Sequence, residues 1–123
     1  MNIDPANSLA YALSTATACR ELADDAARDG RFPAAMASTM SRAALEAAAG
    51  IRQMLDTYRP NVSVETFTLL GRCIVDLEAI GALASLVVTC ESAARSARHL
   101  AHALRYTADM AANHLTRAEQ AVI

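Results

Sequence analysis

The sequence predicts an all-α protein: a single helical domain over residues 1–123, arranged as a four-helix up-down bundle. Three observations predict it. Apolar residues recur every three or four positions along nearly the whole chain, the spacing of one helix face. With only 4 glycines and 3 prolines, there are few places for sharp turns. Alanine, the best helix former, supplies roughly a quarter of the residues. Aromatics are only 4% and tryptophan is absent, so each helix buries little area and needs close neighbours.

The first helix is predicted over 5–29. Asp4 can cap it, Pro5 suits its first position, and Gly30 is a natural stop. Leu9, Leu13, Ala16, Ala23 and Ala27 form its stripe. Arg20 interrupts that stripe, so either the inner face is partly polar there or the long stem carries the charge outward. Tyr11 and Leu22 fall on the opposite side, free to contact another element.

The turn Asp-Gly-Arg-Phe-Pro leads to a second helix over 34–58, ended by Pro60. Its stripe is Met36, Met40, Ala44, Ala47, Ile51, Met54 and Tyr58. Methionine fills gaps in a core short of bulk; a methionine-rich stripe also suits an adaptable groove, but core is the favoured reading. Gly50 inside the helix is expected to mark close approach of a neighbour.

Ser63 caps a third helix over 64–89, with Glu65 beside the positive helix end. Its expected core stripe is Phe67, Leu70, Ile74, Leu77, Gly81, Ala84 and Val88. A polar stripe of Glu65, Thr68, Arg72 and Asp76 runs on, but from there it meets Ala79, Leu83, Leu86 and Cys90. A helix apolar all round must be enclosed on every side. Alanine-rich neighbours offer little surface for that, so Leu83, Leu86, Val87 and Cys90 are expected to form an interface, first of all with a second copy. The competing reading is that the other helices simply cover Leu83 and Leu86.

The fourth helix is predicted over 92–121, on the stripe Ala97, Leu100, Leu104, Ala108, Ala111, Leu115, Ala118 and Val122. A break near Thr89 to Ser92, with either residue as cap, separates it from the third. No glycine or proline enforces that break. An uninterrupted helix from Val64 to Val122 would be about 90 Å long and would require an intertwined dimer. Charge supports four packed helices. Residues 1–30 carry 2 Arg and 5 acids, residues 31–60 carry 4 and 2, residues 61–90 carry 1 and 3, and residues 91–123 carry 4 and 3. The sign alternates, so each helix of an up-down bundle sits beside partners of opposite sign.

All 11 cationic residues are arginine, yet the formal net charge is -2, without the basic excess of a general nucleic-acid binder. The opening Met-Asn-Ile-Asp-Pro-Ala-Asn-Ser lacks the basic and apolar regions of a secretory signal. The apolar run at 79–90 is too short to cross a bilayer. A soluble, cytoplasmic protein is the expectation. Cys19, Cys73 and Cys90 show no metal-ligand spacing and are expected as buried reduced thiols, a Cys90–Cys90 contact across a two-fold being the alternative.

One cluster suggests chemistry. Arg95, Arg98, His99, His102 and Arg105 share one side of the fourth helix with no acid between them. Guanidinium forks suit phosphate oxygens, which makes this strip a candidate anion or nucleic-acid site. The favoured reading is pairing with the acidic first helix, at Glu21, Asp24, Asp25 and Asp29; a pH-sensitive histidine role is the third. No metal is expected, because His114 lies about 18 Å along the axis from His99 and His102 and no Glu-x-x-His pair occurs. No nucleophile elbow, phosphate loop or dinucleotide fingerprint is present, and no cofactor is expected.

The expected function is therefore a non-enzymatic protein–protein interaction module (adaptor, chaperone-like or inhibitory), homodimeric through its third helix, with a further protein partner. Two alternatives stand beside it. One is a regulatory nucleic-acid or polyanion binder using the arginine/histidine strip. The other is a small-ligand-binding bundle with a cavity between its second and third helices.

Overall fold

The computed structural model describes residues 5–58, 62–89 and 94–122, the side chains of 94–96 and of Val122 excepted. It is a bundle of four helices: α1 (Pro5–Asp29), α2 (Ala34–Tyr58), α3 (Val64–Thr89) and α4 (Ala94–Val122). Each described boundary falls within two residues of the sequence expectation. The expected roles of Asp4, Pro60 and Ser92, and of the Cys90 and Val122 side chains, lie outside the described residues.

Local chemistry explains the ends. Gly30 adopts φ 71°, a left-handed conformation that glycine tolerates without strain, and its N–H donates to the Ala26 carbonyl at 2.8 Å. At α3 the Thr66 N–H donates to Ser63 Oγ at 3.2 Å, while the Ser63 hydroxyl donates to Thr66 Oγ1 at 2.9 Å. Thr89 does not cap α4. It is the last residue of α3, and its hydroxyl turns back on the Ser85 and Leu86 carbonyls at 3.2 and 3.3 Å.

Neighbours run antiparallel around a ring, α1–α2–α3–α4 and back to α1. Arg20 meets Asp109 and Asp24 meets Arg105, which fixes the direction of α4 against α1. His114 meets Asp76, which folds α4 back along α3. The uninterrupted third-to-fourth helix is thus ruled out: the α4 stripe is covered within its own chain, by α1 and α3.

Small residues fill much of the core. Ala16, Ala23, Ala108, Ala111 and Ala118 are fully enclosed, interleaved with Leu9, Leu104 and Leu115. On the other side of the ring Ile51, Leu70, Leu77 and Ile80 supply the bulk, with Met40 and Met54 filling between them. The methionines of α2 therefore serve packing rather than a groove.

Two expectations about packing are corrected. The buried face of α3 is Leu70, Cys73, Ile74, Leu77, Ile80, Gly81, Ala84 and Val87. Phe67 and Val88, expected inside, are 38% and 40% exposed. The helix is rotated because it must serve α2 on one flank and α4 on the other. Gly50, expected at a close approach, has open space where a Cβ would sit. The close approach is at Gly81 instead: a Cβ there would lie 2.8 Å from Leu45 Cγ. The Ser41 hydroxyl donates to the Gly81 carbonyl at 2.9 Å, so α2 crosses α3 tightly at this point.

These two glycines should respond in opposite directions to one substitution. Gly50→Ala should raise stability by about 1 kcal/mol, since helix propensity improves and nothing is displaced. Gly81→Ala must move Leu45, and should lower stability by about 1–3 kcal/mol. Urea denaturation followed by circular dichroism measures both.

Candidate functional site

The outward side of α3 is the feature that separates this bundle from a fully enclosed one. Val75 is 63% exposed and Leu86 47% exposed, and Leu45 of α2, propped out over Gly81, is 47% exposed. Ala82 is exposed between the first two. Val64, Phe67 and Val88 extend the apolar surface toward both ends of α3.

Exposed Arg72 borders this surface, but the two nearest carboxylates are engaged elsewhere. Asp76, expected on the polar stripe, is turned into the α3–α4 seam, where His114 Nδ1 lies 2.6 Å from Asp76 Oδ2 and both side chains are largely buried. Glu78 accepts from Arg52 of α2 at 2.7 Å. From Ala79 to Thr89 the helix carries no ionisable side chain.

The predicted interface residues divide. Leu86 stands on the outer face as expected. Leu83 is partly buried and packs against the core, as the competing reading had it. Val87 is 8% exposed and belongs to the core. Cys90 lies outside the described residues. Val75 and Leu45 were missed. Val75 escapes a sequence reading because apolar residues on every side leave the phase of the helix undetermined. Leu45 lies off the main stripe of α2, and its signal was a large aliphatic residue flanked by Arg42 and Glu46, at an otherwise polar face.

Between α2 and α3, beside this surface, lies an open groove of about 390 Å³. Leu55, Gly71, Ile74 and Val75 line its floor and wall, Phe67 closes one end, and Arg52 and Asp56 stand at the rim. Gly71 has nothing within 4 Å of the Cβ it lacks, so the groove is open there to an incoming side chain.

The arginine/histidine strip of α4 is placed differently from the apolar face. His99, His102 and Arg105 are exposed, and the Arg95 side chain lies outside the described residues. Arg98 reaches across to α1, where its guanidinium nitrogen occupies the space a Cβ on Gly30 would need, at 2.7 Å. A cation there complements the negative end of the α1 dipole. Arg105 pairs with Asp24 at 3.5 Å, and Arg20 with Asp109 at 3.1 Å. Asp25 pairs instead with Arg28 within α1. The groove of about 420 Å³ lined by Arg20, His102, Arg105, Tyr106 and Asp109 thus already contains its own counter-charges. Each such exposed pair contributes at most about 1 kcal/mol.

Cys19 and Cys73 are free thiols, both buried and on different helices. Burial pushes the Cys19 thiol from its ordinary 9.0 up to about 11. Burial, with the neighbouring Asp76 carboxylate, pushes Cys73 up to about 12. Neither supplies a thiolate at neutral pH. Among the described residues, no three His, Cys, Asp or Glu side chains converge to hold a metal ion, and no helix is long and apolar enough to cross a membrane.

Two measurements follow from the buried polar groups. His114→Ala leaves the Asp76 carboxylate short of its partner in the α3–α4 seam and should destabilise the fold by about 1–3 kcal/mol. Thiols held protonated in the native state keep their contribution below pH 9.0, the ordinary thiol value, and lose it as pH climbs toward about 11 to 12. Stability should therefore fall over that window, and less steeply in a Cys19→Ala, Cys73→Ala double variant, as read by denaturant midpoints at stepped pH.

No protein-family model, curated protein or solved structure matches the chain, so the functional argument rests on this surface itself.

Proposed function

We propose that the chain is a non-enzymatic protein–protein interaction module that assembles through the outward face of α3 and acts as a homodimer. The observation that carries this reading is the exposure of Val75 and Leu86 on one side of a helix whose nearby carboxylates are both turned to other partners. Exposed aliphatic area stabilises nothing in a monomer, while its burial against a partner contributes about 25 cal/mol for each Å². Contiguous apolar surface of this kind is characteristic of association sites.

Two further features support it. The histidine and carboxylate that meet inside the bundle engage each other, and the described thiols, Cys19 and Cys73, are sealed, which favours recognition over catalysis. Free buried thiols also suit a reducing, cytoplasmic setting.

Light scattering coupled to size-exclusion chromatography should give twice the chain mass. Leu86→Glu should return it to the monomer mass with an unchanged helical spectrum, because the side chain is half exposed and its loss leaves no cavity. A wild-type chain that stays monomeric at high micromolar concentration would overturn the reading.

A further inference from the structure

The α2–α3 seam carries both a projection and a recess. Leu45 projects over Gly81, and the groove beside Gly71 lies further along the same seam. Leu45 and the level of the groove, between Arg52 and Asp56, are separated along α2 by about 14 Å. Because α2 and α3 are antiparallel, this displacement runs along both helices together.

We infer that the homodimer is built by packing this α2–α3 face against its own copy about a two-fold axis lying midway between projection and recess, at the level of Ala49 and Gly50. The inference rests on the reading of the α3 face as a homodimer surface and specifies how the two copies meet. Such an axis exchanges the two features, so that each Leu45 enters the partner's groove beside Gly71. An isologous contact needs this property: one surface must hold both halves of the match.

Charge supports the same axis. Arg42 and Asp56 are exposed on one side of α2, nearly four turns apart, and neither has an ion-pair partner among the described residues. The axis that seats Leu45 brings Arg42 level with the partner's Asp56, and Asp56 level with the partner's Arg42. It also sets Leu86 opposite the partner's Phe67, joining two partly exposed apolar side chains. At the centre, exposed Ala49 keeps α2 slim where the copies approach most closely.

The area is adequate. Two helices side by side present a face about 38 Å long and about 20 Å wide, or about 1,500 Å² counted over both copies, within the range of specific dimers.

Arg42 and Asp56 are surface residues, so the test leaves the fold alone. Arg42→Glu should weaken the dimer at least ten-fold in sedimentation equilibrium, and the double variant Arg42→Glu, Asp56→Arg should recover most of the loss. In a Cys90→Ser background, chains carrying Arg42→Cys and chains carrying Asp56→Cys should form a mixed disulfide on oxidation. Neither should cross-link to itself, because like positions lie about 20 Å apart along the axis. A dimer that is lost on Leu86→Glu, yet is indifferent to the charge swap or cross-links Arg42→Cys to itself, would overturn this register and leave the dimer reading standing. A monomeric wild type would overturn both.

Discussion

Close approach between helices built largely of alanine governs this structure. Ala16, Ala23, Ala108, Ala111 and Ala118 are fully enclosed, which requires neighbouring backbones to run near one another along the bundle. Small side chains allow that approach and at the same time limit how much apolar area each contact removes from water. The larger residues must therefore be shared out carefully. Those that fit, such as Ile51, Leu77 and Leu104, lock the layers together. Those that do not fit, including Leu45, Val75 and Leu86, remain outside.

That division accounts for the electrostatics as well. The polar side of α3 does not simply stop at Asp76; its carboxylates are drawn sideways, Asp76 into the seam with α4 and Glu78 toward α2. Across the bundle, Arg20 of α1 and Arg105 of α4 each meet an aspartate on the opposite helix. The α1–α4 flank is thus matched within the chain, while the α2–α3 flank combines exposed aliphatic residues with a few charges, Arg42 and Asp56 among them. A surface so divided favours association on the side where little hydration need be lost.

How much of this could be read from sequence depends on the kind of signal each helix carries. The ends were legible because glycine, proline and serine act locally: Gly30 stops α1 and Ser63 starts α3 through bonds to adjacent residues. The inward face of α4 was legible because its apolar and charged positions are cleanly segregated. The rotation of α3 was not, since apolar residues surround it and several settings bury similar area; only the neighbours choose between them. That is why Phe67 and Val88 were assigned to the core and Val75 was overlooked. The seam between His114 and Asp76 joins residues far apart in the chain, and no local pattern announces it. The apolar excess of the 79–90 segment is plain in the sequence; among its described residues Ala82, Leu86 and Val88 face outward, continued by Val75 and Leu45.

Leu45 sits where it does because Gly81 lacks a side chain beneath it. The shape of the exterior at that point is consequently written in the interior, one helix away. Variation at a glycine that no partner can touch would change the height and tilt of a residue that a partner would touch first. Recognition and packing are therefore inherited together here, and a lineage could alter its choice of companion without altering any residue on the contact surface.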